Sequence, residues 1–198
     1  MNIQSVGIVG AGQMGNGIAH VFAVAGFDVL MTDISQPALD KAVALIGRNL
    51  DRQVTKARIT PADKDAAMAR IRTTLTLADL GRTDLVIEAA TERESVKNAI
   101  FAELLPHLTP DTILTSNTSS ISITRLASRT DRPEKFMGFH FMNPVPVMQL
   151  VELIRGIATD EPTYRALVEV VQKLGKTAAS AEDFPAFIVN RILMPMIN

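Results

Sequence analysis

The segment Gly10-Ala11-Gly12-Gln13-Met14-Gly15 constrains the fold of this chain more than any other. It follows a short β-rich run, VGIVG, and opens a stretch in which Met14, Ile18, Val21, Phe22 and Ala25 fall on one helical face. Gly26 stops that helix, and DVLMTD reads as a second buried strand that ends on Asp33. Strand, helix and strand in so short a span make a βαβ unit, with a parallel pair and a right-handed crossover. In that setting the glycines acquire separate roles. Gly10 permits a tight turn, Gly12 lets the backbone approach a pyrophosphate at the positive helix end, and Gly15 allows close helix–strand packing. Asp33, 23 positions after Gly10, can accept from a ribose 2′-hydroxyl and would repel a 2′-phosphate. The loop, completed by Ala11, Gln13 and Met14, predicts a dinucleotide site that favours NAD over NADP.

The alternation of strand and helix continues. Ser35 is a candidate N-cap, with Pro37 in the first turn and Leu39, Val43, Ile46, Leu50 and Val54 at helical spacing. Thr60-Pro61-Ala62-Asp63 has the pattern of a capped helix start. DLVIEAA and TILTSN read as buried strands, with a helix between them through Val96, Ile100 and Leu104. KFMGFHF and MQLVELI are further strands, too close for a helical crossover, so they turn back antiparallel across Pro144 and Pro146. A last clear helix runs from Pro162 through Leu167, Val168, Val171 and Leu174 to Gly175. The class is α/β: a doubly wound, Rossmann-type sheet, mostly parallel with an antiparallel edge, followed by the start of a helical segment.

Composition narrows the functional classes. At 198 residues, 47% hydrophobic and 21% charged, the chain has an ordinary globular balance. Lys+Arg is 20 against Asp+Glu 21, which offers no electrostatic ground for nucleic-acid or membrane binding. Without cysteine there is no disulfide framework or thiolate site, and no metal is expected. The N-terminus lacks the basic and long apolar regions of a secretory signal, and no uncharged run reaches the roughly 18 residues of a membrane span. A soluble, cytoplasmic protein is the expectation.

Ligands gather beyond the carboxyl ends of strands in an open parallel sheet. Three polar clusters fall there: Glu88 with Glu92 and Lys97, the run Ser116-Asn117-Thr118-Ser119-Ser120, and His140 with Asn143. Each is also what loop capping alone would produce. If the Pro144–Pro146 segment reverses the chain, Glu152 on the returning strand reaches one imidazole nitrogen of His140. The carboxylate would fix the tautomer and stabilise the imidazolium, leaving the other nitrogen to exchange a proton with substrate. A nicotinamide enzyme that oxidises an alcohol needs such a base.

GIVGAGQMGNGIA, VIEAATE, SNTSSISIT, HFMNPVPVMQLVE and FIVNRIL stand here in the order seen in the 3-hydroxyacyl-CoA dehydrogenases, and the chain resembles that family over essentially its whole length. The resemblance implies NAD-dependent oxidation of an (S)-3-hydroxyacyl-CoA to the 3-oxoacyl-CoA, with His140 as base and Glu152 as its partner. It implies that Ser119 and Asn190 bond the reacting oxygen or the thioester region. Glu92, Lys97, Ser119 and Asn143 would line the nicotinamide-ribose side, and Asn49 and Lys56 would touch the CoA moiety. It divides the chain into a cofactor domain, residues 1–185, and the opening of an all-helical domain, residues 186–198, whose remainder forms the homodimer interface in the family and is lacking here. One departure stands out. The family reads Pro-Gly-Phe before its NR segment, whereas this chain has Pro185-Ala186-Phe187; if that position needs φ > 0, alanine strains it. Two other readings stay open: a dinucleotide-binding module without activity of its own, and a sugar-acid dehydrogenase of the gulonate type.

Overall fold

The computed structural model describes residues 2–197; Met1 and Asn198, the outer ends of the two expected units, lie outside them. β1 (Ser5–Val9) leads through α1 (Gln13–Val24) to the parallel β2 (Asp28–Thr32). A helical pair, α2 (Gln36–Thr55) and α3 (Pro61–Ala69), then returns the chain to β3 (Ile71–Thr74). Beyond a 3₁₀ turn, β4 (Leu85–Glu88), α4 (Glu94–Leu104) and β5 (Ile113–Ser116) follow. Next come α5 (Ile123–Ala127), β6 (Phe136–Phe141) and β7 (Leu150–Arg155). α6 (Glu161–Lys173), β8 (Thr177–Glu182) and α7 (Val189–Ile197) complete the order.

All eight strands form one sheet in the order β3-β2-β1-β4-β5-β6-β7-β8. β6 and β7 are antiparallel as the sequence predicts, but β7 is not the rim. β8 pairs parallel to it on the outside, so the antiparallel edge is two strands wide. At the other rim β3 pairs parallel with β2. Neither β3 nor β8 is announced by the hydrophobic pattern: IRTT and TAASAE carry little of the β-branched and aromatic signal that marks a buried strand.

Helix starts follow their caps. Ser35 accepts from Ala38 N above α2, Thr60 and Asp63 form a reciprocal capping box on α3, and Asp160 accepts from Thr163 N on α6. α1 differs, because its N-cap is Gly12, which has no side chain to offer. Both faces of the sheet are covered. On the α1–α6 face Phe22 meets the rings of Phe27, Phe139 and Phe141 edge-on, at 5.1, 6.3 and 6.2 Å between centroids. On the other face Phe101 of α4 packs edge-on against Phe136 at 5.4 Å. Among the described residues no helix is long and apolar enough to cross a membrane.

The segment before α7 carries the strain that the sequence suggests. Ala186 sits at φ 64° and Phe187 at φ 52°, both left-handed. Ala186→Gly should relieve about 1–2 kcal/mol of left-handed strain and lose about 0.4–1 kcal/mol through a looser unfolded chain. The net expectation is a melting temperature roughly 1–3 °C higher, read by thermal unfolding; an unchanged or lower value would contradict the strain argument.

Candidate active site

The glycine loop joins β1 to α1 beneath the sheet's carboxyl edge. Gly10 has φ 105°, and a Cβ there would lie 2.7 Å from the Ala89 carbonyl oxygen. A Cβ on Gly15 would lie 1.8 Å from the Gly10 carbonyl oxygen, so helix and turn touch only because residue 15 is glycine. At Gly12 an added Cβ meets nothing within 4 Å. The space there is open, and it adjoins the uncapped amino end of α1, where backbone N–H groups and the helix dipole favour an anion. A cavity of about 650 Å³ rises from Gly12 and Gln13 between α2 and the β6–β7 connection, with Asp33, Asn49 and Asn143 on its walls.

Asp33 closes the loop from the end of β2. Its Oδ2 accepts from Ala11 N at 2.8 Å and its Oδ1 from Ser35 N at 3.1 Å. It also borders a second, more apolar cavity of about 420 Å³ walled by Ile34, Leu75, Leu77, Val96 and Ile100. The sequence reading missed that slot because these walls come from three separate segments, the end of β2, the stretch after β3 and α4. These features fit a dinucleotide: open space at a helix amino end, a carboxylate at the end of β2, and a largely apolar cavity beside it.

His140 and Glu152 are direct cross-strand partners of the β6–β7 pair. The imidazole Nδ1 lies 2.7 Å from Glu152 Oε2, and both side chains are buried. The other carboxylate oxygen, Oε1, accepts from the backbone N–H groups of Ile188 and Val189 at 3.0 and 2.8 Å. Burial alone would raise the Glu152 carboxyl; the bonds from His140, Val189 and Ile188 outweigh it and hold it below the ordinary glutamate range. An ionised Glu152 accepts, so Nδ1 carries a proton, and in the neutral ring that leaves Nε2 as the acceptor. Ser119 Oγ stands 3.0 Å from Nε2.

Ser119 is itself clamped. Glu92 Oε1 accepts from Thr118 Oγ1, Ser119 N, Ser120 N and Ser120 Oγ at 2.6, 2.9, 3.0 and 2.9 Å. Burial raises the Glu92 carboxyl, and these bonds, with Lys97, lower it further than burial lifts it. Lys97 is buried against Glu88 at 2.6 Å, and Ser116 Oγ donates to the same Glu88 oxygen at 2.7 Å. Breaking such a buried pair on one side costs about 3–5 kcal/mol.

Met14, Glu92, Lys97, Ser119, His140, Asn143 and Asn190 thus meet around one cavity of about 410 Å³. Asn190 reaches it despite the strained link, with Nδ2 3.3 Å from the Ser119 carbonyl oxygen. Asn143 borders both this cavity and the one above Gly12, and its Oδ1 accepts from Gln13 Nε2 at 3.2 Å. Lys56 does not join them. It caps the far end of α2, exposed, seven residues and two turns beyond Asn49. Four contributors escaped the sequence reading. They are the Ile188 and Val189 amides, Phe187 (its ring centroid 5.9 Å from that of His140), and Lys176, whose Nζ pins the β6–β7 connection through the Val145 and Met148 carbonyls at 2.8 and 2.7 Å. No local sequence pattern around Lys176 marks it for that role.

Known proteins resemble this chain in sequence and in fold. Residues 5–184 match the family model of the 3-hydroxyacyl-CoA dehydrogenase NAD-binding domain. A 3-hydroxybutyryl-CoA dehydrogenase of Bradyrhizobium diazoefficiens is 61% identical over 196 residues, which cover 99% of this chain and 67% of that protein. A probable 3-hydroxybutyryl-CoA dehydrogenase of Bacillus subtilis is 44% identical over 198 residues, covering 100% and 69%. The crystal structure of (S)-3-hydroxybutyryl-CoA dehydrogenase from Ralstonia eutropha superposes with a TM-score of 0.97 at 50% identity, covering 100% of this chain and 70% of that one.

Proposed function

This chain belongs to the 3-hydroxyacyl-CoA dehydrogenase family, through its NAD-binding domain, and on that premise we propose that it interconverts (S)-3-hydroxybutyryl-CoA and the 3-oxo thioester, with His140 as the proton-transfer group. The observation that carries the reading is the unbroken run from Glu152 through His140 to Ser119, facing the cavity that Asn143 shares with the glycine-loop groove.

NAD bound along that groove supplies the hydride acceptor. Everything else falls to the chain. His140 Nε2 takes the proton of the 3-hydroxyl as the alcohol is oxidised and returns it in the reverse direction. Glu152 holds the ring in the tautomer that leaves Nε2 free, and its charge offsets the imidazolium that forms. Ser119 Oγ and the Asn190 amide stand close enough to hold the reacting oxygen or the thioester beside the base. Asn49 serves the CoA end along the larger cavity. Lys56, at the far end of α2, would meet only the outermost CoA phosphates.

Cofactor choice rests on Asp33. Asp33→Ala removes both the ribose-directed carboxylate and the latch on Ala11 N, and losing a bond to a charged group costs about 1.5–3 kcal/mol. NADH affinity should fall roughly 10- to 100-fold, while NADPH, freed from like-charge repulsion, binds no worse than before. Fluorescence titration of both nucleotides checks this; NADH affinity unchanged in the variant would contradict it.

A further inference from the structure

We infer that Asn117 is a contact of the nicotinamide end of the cofactor, an assignment that rests on the NAD reading above. Asn117 directly follows β5 and is 8% exposed. Its backbone N–H donates to the Glu88 carbonyl at 2.8 Å, and its side-chain Oδ1 accepts from Phe141 N at 2.8 Å. The side chain does there what the ladder between β5 and β6 has just stopped doing, because their register ends at Ser116 and Gly138.

That bond settles which way the amide points. With Oδ1 committed to a backbone donor, the amino group Nδ2 occupies the other position, and it meets no acceptor among the described residues. Asn117 lines the same cavity as Met14, Ser119, His140 and Asn143. A mostly buried side chain that lines a ligand cavity, with its oxygen committed and its amino group bonded to no described residue, has a donor to offer an acceptor placed there.

The side from which Asn117 enters identifies that acceptor. Along β5, Ile113 packs into the core on the α1 face and Leu114 into the core on the opposite face. Alternation places Asn117 with Ile113, toward α1. Along β6 the same rule places His140 on the opposite face, since Phe139 and Phe141 both pack toward α1. The base therefore enters the cavity from one side, and the Asn117 donor enters from the side of the glycine loop and Met14. A group lying along that loop and ending over Met14 is the nicotinamide half of the dinucleotide, whose carboxamide offers a carbonyl oxygen of matching polarity.

Asn117→Asp separates this role from simple bracing. The carboxylate still accepts from Phe141 N but has no amino group. NADH and ADP-ribose, which lacks the nicotinamide, are titrated into both proteins. The expected result is an NADH Kd raised about tenfold in the variant, with the ADP-ribose Kd within twofold of the unaltered chain. Retained ADP-ribose binding also shows that the cofactor groove is folded; if the aspartate variant does not fold, NADH and ADP-ribose are compared in Asn117→Ser, whose hydroxyl oxygen can accept from Phe141 N while the amide NH₂ is gone. NADH binding equal to that of the unaltered chain would overturn the assignment and leave Asn117 as a brace between β5 and β6. Equal losses for both ligands would overturn it too. If the unaltered chain binds no NADH, the NAD reading itself fails, and that is seen before any substitution is made.

Discussion

His140→Ala should lower kcat for NADH-dependent reduction of acetoacetyl-CoA by roughly 10²- to 10⁴-fold, the usual contribution of a positioned acid–base group. NADH affinity should barely change, because the groove over Gly12, Asp33 and the α1 terminus does not include the imidazole. The cost to folding is moderate. The imidazole is buried against Phe187, so its removal leaves a small void and deprives Glu152 Oε2 of its partner. The carboxylate nevertheless keeps two backbone donors on Oε1. Steady-state kinetics beside an NADH titration separate the effects. A variant that turns over like the unaltered chain would sink the role of His140, and one that loses NADH binding in proportion would make the histidine a scaffold.

Glu152→Gln is the second large effect. The amide has one oxygen, which can serve either the His140 Nδ1–H or the Ile188 and Val189 amides; its NH₂ then faces a donor on the other side. Losing one charge-assisted bond, at about 1.5–3 kcal/mol, should lower kcat roughly 10- to 10²-fold. Acid stability reports the same residue independently. The Glu152 carboxyl is held lower in the folded chain than its ordinary 4.5, so as pH falls the unfolded chain takes up the proton first. Its stabilisation is complete above that ordinary value and drains away as pH drops through it toward the depressed folded value. Urea midpoints followed from pH 7 to pH 3 should therefore fall less steeply in Glu152→Gln than in the unaltered chain. Parallel curves would show that the carboxylate contributes nothing through its charge.

The dyad was legible because two apolar strands separated by a short proline link have one economical arrangement, and that arrangement puts position 140 opposite position 152. The glycine loop was legible for a similar reason: the spacing dictates the turn, and the turn dictates the glycines. The sheet's rims were not. β3 and β8 are recruited by the exposed edges of β2 and β7, so their strand character comes from partners rather than from their own side chains. Glu92 was assigned by resemblance to the cofactor. Its four bonds to the Thr118–Ser120 turn give it a second task, the placement of Ser119, which no linear pattern encodes. Asn117 was visible as part of a polar run, but its donor could be identified only once Oδ1 was seen bonded to Phe141 N. The strain at Ala186 was readable from the missing glycine alone.

The central claim is that this chain moves hydride between NADH and a 3-oxoacyl-CoA through a site built on His140. The most direct measurement is the initial rate of NADH oxidation with acetoacetyl-CoA, run beside NADPH, a control without thioester, and the His140→Ala variant. The account predicts a saturable rate with NADH that falls sharply with NADPH and collapses in the variant. A rate no greater than the control without thioester, or one that survives the loss of His140, would contradict it.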